Sequence, residues 1–172
     1  MKKKTFILII IAIIITLLVK NKNQNMVVIP NESIRIRIIS NSNEDLDIEE
    51  KMKVKKNVEK EVYRLVQDAN SIEEAREIIN NNLDKLNIVI DDTTNYDYSV
   101  KFGNNYFPRK VYKDVLYEEG MYESLVVTLG DGSGDNWWCV LFPPLCLLDE
   151  NENTNDVEYK FFVSELIDKY IK

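Results

Sequence analysis

Residues 136–146 read NWWCVLFPPLC, and this block contains both tryptophans, both cysteines and two of the four prolines of the 172-residue chain. Trp137, Trp138 and Phe142 place a large, rigid apolar area in a short segment, which a surface loop would not carry without a use for it. Because successive side chains of a strand point to opposite faces, we expect one tryptophan in the core and the other available to a partner.

The two prolines that follow indicate where this strand lies. Proline cannot donate a ladder hydrogen bond, so Pro143 and Pro144 favour the end of a strand at the edge of a sheet. An edge position leaves part of the aromatic block open to another protein. The partner-binding residues predicted on this basis are Asn136, Trp137, Trp138, Phe142, Pro143 and Pro144.

The cysteines of the block are a candidate disulfide. Six residues separate Cys139 from Cys146, and an extended chain would hold them roughly 23 Å apart, against about 5.5 Å in a disulfide. A bond therefore requires a chain reversal near Pro143 and Pro144. Two buried thiols are the alternative, and a cysteine nucleophile is disfavoured because no histidine is present to activate it.

Composition narrows the classes of function. The chain has no histidine, 22 basic and 29 acidic residues, and a net charge of −7. Without histidine, the commonest general base and metal ligand are missing, and we predict no cofactor, metal or small-molecule substrate. The acidic charge also argues against nucleic acid and anionic lipid as partners.

A glycine-rich loop at residues 130–135 (GDGSGD) is the place where enzymatic chemistry could lie. Its glycines are each two residues apart, so they fit neither dinucleotide-binding nor P-loop spacing. A calcium loop lacks the bidentate glutamate. We therefore expect a mobile turn between two strands. If these residues did carry chemistry, the chain would be an extracytoplasmic hydrolase acting on cell wall or peptide through Asp131, Asp135 or Cys139. A structural scaffold is a further alternative function.

The N-terminus has the pattern of an export signal. Lys2, Lys3 and Lys4 precede an apolar run from Thr5 to Val19, and no small-x-small cleavage site follows, which favours an uncleaved anchor over a cleaved peptide. The chain after it is expected outside the cytoplasm. The predicted organisation is a signal peptide or anchor at 1–25, a linker at 26–33, a domain at 34–149, and a polar linker with an amphipathic helix at 150–172.

Apolar periodicity predicts an α+β fold: a helical hairpin and a C-terminal helix packed on a small, mostly antiparallel β-sheet. Arg35 and Arg37 alternate with isoleucines and are expected on the solvent face of the first strand. Lys55 would lie on or beside the apolar stripe of the first helix. The predicted strands are 34–39, 87–91, 96–102 and 122–129, with a turn at 103–105, and the predicted helices are 44–67, 72–86 and 157–171.

The segment from Gly132 to Cys146, with the pattern Gly-x-Gly-x-Asn-Trp-Trp-Cys-Val-x-Phe-Pro-Pro-Leu-Cys, resembles the stage II sporulation protein R family of endospore-forming bacteria. Further segments agree with the family in order along the chain. They are Ile34-Arg35-Ile36-Arg37, Asn41-Ser42, the helix around Lys51 to Val58, Tyr96-Asp97-Tyr98, Phe107-Pro108 with Lys110 and Tyr112, and Gly120-Met121-Tyr122.

The resemblance implies a signal rather than an enzyme. It implies a protein made in the forespore and exported across the forespore membrane into the intermembrane space, either secreted or held in the membrane by its N-terminal segment. The implied partner is a membrane-embedded aspartic protease, which on activation processes the precursor of the early mother-cell sigma factor.

Overall fold

The structure is a computed structural model that describes residues 7–14, 27–112, 115–146 and 156–170. Residues 7–14 are helical. The strands of the described part are β1 (Val27–Val28), β2 (Ile34–Ile39), β3 (Tyr98–Phe107), β4 (Lys110–Tyr112), β5 (Val115–Tyr117), β6 (Gly120–Leu129) and β7 (Asn136–Phe142). The further helices are α1 (Asp45–Val66), α2 (Ile72–Asn81), α3 (Leu83–Asp91) and α4 (Asp156–Tyr170).

A four-stranded sheet in the order β3-β6-β2-β7 forms the centre of the fold. Strand β2 pairs in parallel with β6 and antiparallel with β7, while β3 and β6 are antiparallel over their whole length. The isoleucines Ile34, Ile36 and Ile38 leave β2 on one face and are fully buried. The alternation that predicted this strand therefore also determines which face meets the helices.

Helices α1, α2 and α3 cover that face. Val54, Val58 and Val62 of α1 are buried against the isoleucines of β2, as the helical spacing of these apolar residues requires. Helix α2 begins at a serine cap, in which Ser71 Oγ accepts a hydrogen bond from the Glu74 amide. A serine at this position is a typical helix start, because its hydroxyl satisfies one of the backbone amides that the first turn leaves unpaired.

The other face of the sheet is covered by a second, three-stranded sheet in the order β1-β5-β4 and by α4. Ile29, Val115 and Val140 form a separate core there, against which Leu166 and Ile167 of α4 pack. The α+β class is confirmed, with the small second sheet as an addition to the predicted layers.

The predicted strand at 87–91 is wrong, because these residues belong to helix α3. Leu86 and Ile90 are one helical turn apart and both are buried, so the 3.6-residue period continues beyond the predicted end. Asn82 lies between helices α2 and α3, and its side chain donates a hydrogen bond to the Ile78 carbonyl. The predicted single helix 72–86 is therefore two helices.

The predicted turn at Gly103–Asn105 is also wrong, since these residues pair with Ser124, Glu123 and Tyr122 inside the β3–β6 ladder. Asn105 Nδ2 donates hydrogen bonds to the Gly103 carbonyl and to Ser124 Oγ. Pairing with a long neighbouring strand outweighs the turn preference of the Gly-Asn-Asn sequence.

The predicted linker 26–33 contributes to the fold. Val27 and Val28 pair in parallel with β5, and the Ile29 side chain is buried in the second core. Most of the predicted signal or anchor lies outside the described residues. None of the helices in the described part combines the length and the apolar content that a bilayer crossing needs.

Candidate functional site

Trp137 and Trp138 leave β7 on opposite faces, as predicted from strand alternation. Trp137 packs on the core beneath the helices, with the Lys55 ammonium 4.9 Å from its ring centroid. Trp138 packs on the second core, edge-on to Phe107 at 5.4 Å and to Tyr117 at 5.5 Å. Both rings are half-buried. The expected division into one core tryptophan and one accessible tryptophan is therefore corrected, because each ring packs on a core and keeps an accessible part.

The other residues predicted to bind a partner divide into accessible and buried ones. Asn136 is exposed and Pro144 is half-buried. Phe142 is only 1% exposed and stacks edge-on against Tyr170 of α4, and Pro143 is also buried. The prediction that Phe142 and Pro143 belong to an accessible surface is corrected, because α4 and the core close over this end of β7.

A cavity of about 260 Å³ lies beside the tryptophans. The cavity touches both Trp137 and Trp138, whose side chains leave β7 on opposite faces. It therefore lies along the edge of the strand rather than on either face of the sheet. In the described part of the chain, β7 pairs only with β2, on the opposite edge. We call this cavity the edge cleft, and its lining residues are Lys55, Lys110, Tyr112, Tyr117, Trp137, Trp138 and Cys139.

Two lysines give the edge cleft a positive rim. Lys55 Nζ lies 3.0 Å from Glu59 Oε2 and faces Trp137. Lys110 Nζ lies 5.0 Å from the Trp138 ring centroid and is exposed. Lys55 belongs to α1 and Lys110 to β4, so the two layers of the fold each contribute one cation. Lys55 was expected beside the apolar stripe of its helix, and this is confirmed.

Arg35 lies behind Trp138 and is fully buried. Its guanidinium carbon is 3.3 Å from the Tyr122 ring centroid, 5.1 Å from that of Phe107 and 5.3 Å from that of Trp138. No hydrogen-bond acceptor among the described residues reaches its Nε, Nη1 or Nη2 atom. Burial lowers the pKa of Arg35, and the nearby tyrosines oppose that effect.

The expected solvent-facing position of Arg35 and Arg37 is therefore wrong for Arg35, and Arg37 is half-buried. Arg37 lies over the Phe107 ring at 4.2 Å and donates through Nη2 to the Tyr106 carbonyl. The second sheet covers this face of β2 together with an aromatic cluster, which consists of Phe107, Tyr117, Tyr122 and Trp138. That second layer was not predicted, because its strands are only two or three residues long and β1 pairs with β5, which is distant in the chain.

Cys139 and Cys146 are buried thiols, and the structure contains no bond between them. The chain reverses at residues 143–145, where the Phe142–Pro143 peptide is cis. This reversal was predicted as a condition for a bond. It places both sulfurs near the Val140 carbonyl oxygen, at 3.6 Å for Cys139 and 3.0 Å for Cys146. Of the two alternatives, the structure has the buried thiols.

The glycine-rich loop is docked on the segment after β2, which corrects the expectation of a mobile turn. Backbone amides of Ser133 and Gly134 donate to the carbonyls of Asn41 and Ser40. Asp131 and Asp135 are both exposed, and no cluster of metal-ligating side chains occurs among the residues that the structure describes. Of the candidate catalytic residues, Asp131 and Asp135 are thus in solvent while Cys139 is buried.

A hydrogen-bonded carboxylate holds the same segment to α1. Asp47 accepts hydrogen bonds from Ser42 Oγ, Asn41 Nδ2 and the Tyr96 hydroxyl. These bonds favour the ionised form and lower the pKa of Asp47, with the bond from Ser42 as the largest cause. The network fixes the start of α1 relative to β2 and the glycine loop.

These features define an α+β domain whose most distinctive site is an aromatic cleft with a cationic rim, on a strand edge that no other described strand pairs with. The chain belongs to the stage II sporulation protein R family, whose model matches residues 30–152. It is 43% identical over 104 residues to the stage II sporulation protein R of Bacillus subtilis (strain 168). That alignment covers 58% of this chain and 46% of the relative, so it spans less than half of the relative's length. No solved structure matches the chain.

Proposed function

We propose that this chain is an exported sporulation signal that activates a membrane-embedded aspartic protease and so triggers maturation of the early mother-cell sigma factor. The observation that carries the proposal is membership of the stage II sporulation protein R family over residues 30–152. The lysine-led apolar segment at the N-terminus supports export, which delivers the domain to the intermembrane space.

Activation requires that the signal bind the active form of the protease more tightly than the inactive form, since equal affinity shifts no population. The contact must therefore be made by a defined surface of the domain. The edge cleft is the surface we assign to this contact, because it combines accessible aromatic area with two cations in an otherwise acidic chain.

The experiment is co-expression of the full chain with the protease and the sigma-factor precursor in a non-sporulating host. Processing of the precursor, followed by immunoblotting, is expected only when all three proteins are present. The matched control is a catalytic-aspartate variant of the protease, which should abolish processing. A scaffold would leave the precursor intact in every combination, and that result would refute the proposal.

A hydrolase would be revealed by a different outcome. Under the activator hypothesis, Cys139→Ser and Asp131→Asn should leave processing intact, provided that each variant retains its thermal unfolding temperature. Precursor cleavage that persists in the absence of the protease would assign the catalysis to this chain instead.

A further inference from the structure

The edge cleft has the geometry of a site for an added strand. Its floor is the edge of β7 away from β2, with which no strand of the described residues pairs. Trp137 rises from one face of the strand and Trp138 from the other. An extended peptide laid along this edge would form main-chain hydrogen bonds with β7 and have a tryptophan on each side.

The charge around this edge selects the kind of peptide. Lys55 and Lys110 line the cleft, and the buried Arg35 and the half-buried Arg37 lie on the side of Trp138. Glu59 is the carboxylate that pairs with Lys55. Lys110 is thus the exposed cation at this edge, and Arg35 and Arg37 add positive charge on the neighbouring strand β2, in a chain whose net charge is −7. A segment with carboxylates is attracted here and repelled by the acidic remainder of the surface.

We propose that the edge of β7 receives an extended, acidic segment of the partner protein as an added strand, with a carboxylate of that segment near Lys110. The proposal rests on the proposed function for the identity of the partner, which is the protease. The segment belongs to the part of the protease that lies on the same side of the membrane as this domain.

A second copy of this chain is a less suitable occupant of the cleft. Two copies joined through their β7 edges would bring together two chains of equal negative charge. Edge-to-edge pairing would also place the lysine rims of both copies beside each other. Sedimentation of the purified chain tests this alternative directly, because a β7-mediated dimer would sediment with twice the mass of one chain and would refute the proposal.

Tryptophan fluorescence, excited at a wavelength that the nine tyrosines do not absorb, reports on this site, because the two tryptophans of the chain both line the cleft. The probes are short overlapping synthetic peptides that cover the exported segments of the protease, each with a partner peptide in which Asp and Glu are replaced by Asn and Gln. We expect one acidic peptide to change the fluorescence saturably and its neutral partner to bind at least about tenfold more weakly.

The variant Lys110→Glu should weaken that binding by about tenfold or more. The matched control is Lys101→Glu, which makes the same charge change at an exposed lysine of β3, the opposite edge strand. It should leave the peptide affinity unchanged. Both side chains are exposed, so thermal unfolding should show that both variants fold.

Backbone methylation of the peptide distinguishes an added strand from side-chain docking. In an added strand, only alternate amides face β7. N-methylation should therefore abolish binding at every second position and be tolerated at the positions between. Equal tolerance at all positions, equal binding of the neutral peptide, or no binding by any peptide would overturn the proposal.

The two proposals fail in different ways. If co-expression gives processing, and Lys110→Glu processes as well as Lys101→Glu, the signalling function stands and the added strand is refuted. If an acidic peptide binds with the expected alternation but co-expression gives no processing, the strand edge is a binding site and the protease activation is refuted.

Discussion

The guanidinium of Arg35 stacks on the ring of Tyr122 at 3.3 Å and is fully buried without a hydrogen-bond acceptor among the described residues. Removing a cation from water is costly unless other interactions replace its hydration. Here the replacement comes from aromatic faces, each of which contributes up to about 2 kcal/mol when desolvated. The centre of the sheet therefore holds a positive charge that is compensated by polarised rings.

This arrangement predicts the effect of removing the charge while keeping the volume. We expect Arg35→Met to leave the free energy of unfolding unchanged or raise it by up to about 2 kcal/mol, since a buried charge is often neutral or costly relative to an apolar side chain. Urea denaturation measures this value. Arg35→Ala, the control for volume, should lower it by about 2–4 kcal/mol. A loss above about 2 kcal/mol in Arg35→Met would mean that the cation–π contacts outweigh desolvation.

The two tryptophans should differ in their contribution to stability. Trp138 meets Phe107 and Tyr117 edge-on and also borders Arg35, so Trp138→Ala should cost about 3 kcal/mol. Trp137→Ala should cost about 1–2 kcal/mol, because its half-buried ring packs at the margin of the helical core and faces the Lys55 ammonium instead of two aromatic rings. Chemical denaturation of both variants checks the order. A larger loss for Trp137→Ala would contradict the role of the aromatic cluster.

Asp47 should make stability depend on pH. Its pKa lies below the usual value because Ser42, Tyr96 and Asn41 donate hydrogen bonds to it. Its stabilisation is therefore present above about pH 4, the usual aspartate pKa, and is lost as the pH falls through the lower native value. Asp47→Asn should lower the unfolding temperature at pH 7, and its difference from the unmodified chain should shrink on acidification.

Differential scanning calorimetry between pH 7 and acidic pH tests this dependence. Asp45→Asn is the control, because it is the same substitution in the first turn of the same helix at an exposed position. It should produce at most a small change. An Asp47→Asn deficit that stays constant over the whole pH range would show that the carboxylate charge does not stabilise the native state.

Gly134 should not tolerate a side chain. A Cβ at this position would overlap the Ser42 carbonyl oxygen, which belongs to the backbone and cannot rotate away. Gly134→Ala should therefore lower the free energy of unfolding by about 1–3 kcal/mol, as overpacking does. The control is Asp131→Ala in the same loop, whose side chain is exposed and whose amide can still donate to Asn41. Equal stability of Gly134→Ala and the unmodified chain would contradict close docking of this loop.

Local periodicity was sufficient to predict the helices and strands that bury one face along their length. Strand β2, helix α1 and the opposite orientations of Trp137 and Trp138 all follow from a period of two or of 3.6 residues. Helix α3 was predicted wrongly because a short apolar segment fits both periods, and its burial against α1 decides between them.

The cleft itself could not be predicted from the sequence. It requires Lys55 of α1 and Lys110 of β4 on either side of one strand edge, and that arrangement depends on how the two layers pack against β7. The burial of Arg35 has the same origin. An Ile-Arg alternation is typical of a strand with one buried and one solvated face. Nothing in that alternation indicates that a second layer covers the arginines.

The position of β2 between β6 and β7 also imposes an order on assembly. The strand at Ile34–Ile39 emerges early, whereas its neighbours in the sheet, Ser124–Thr128 and Asn136–Phe142, come near the end of the chain. Pairing between such distant segments is slow and cannot begin until both are available. A chain threaded through a membrane from its N-terminus would stay unfolded, and therefore translocation-competent, until its tryptophan block arrives to complete the sheet.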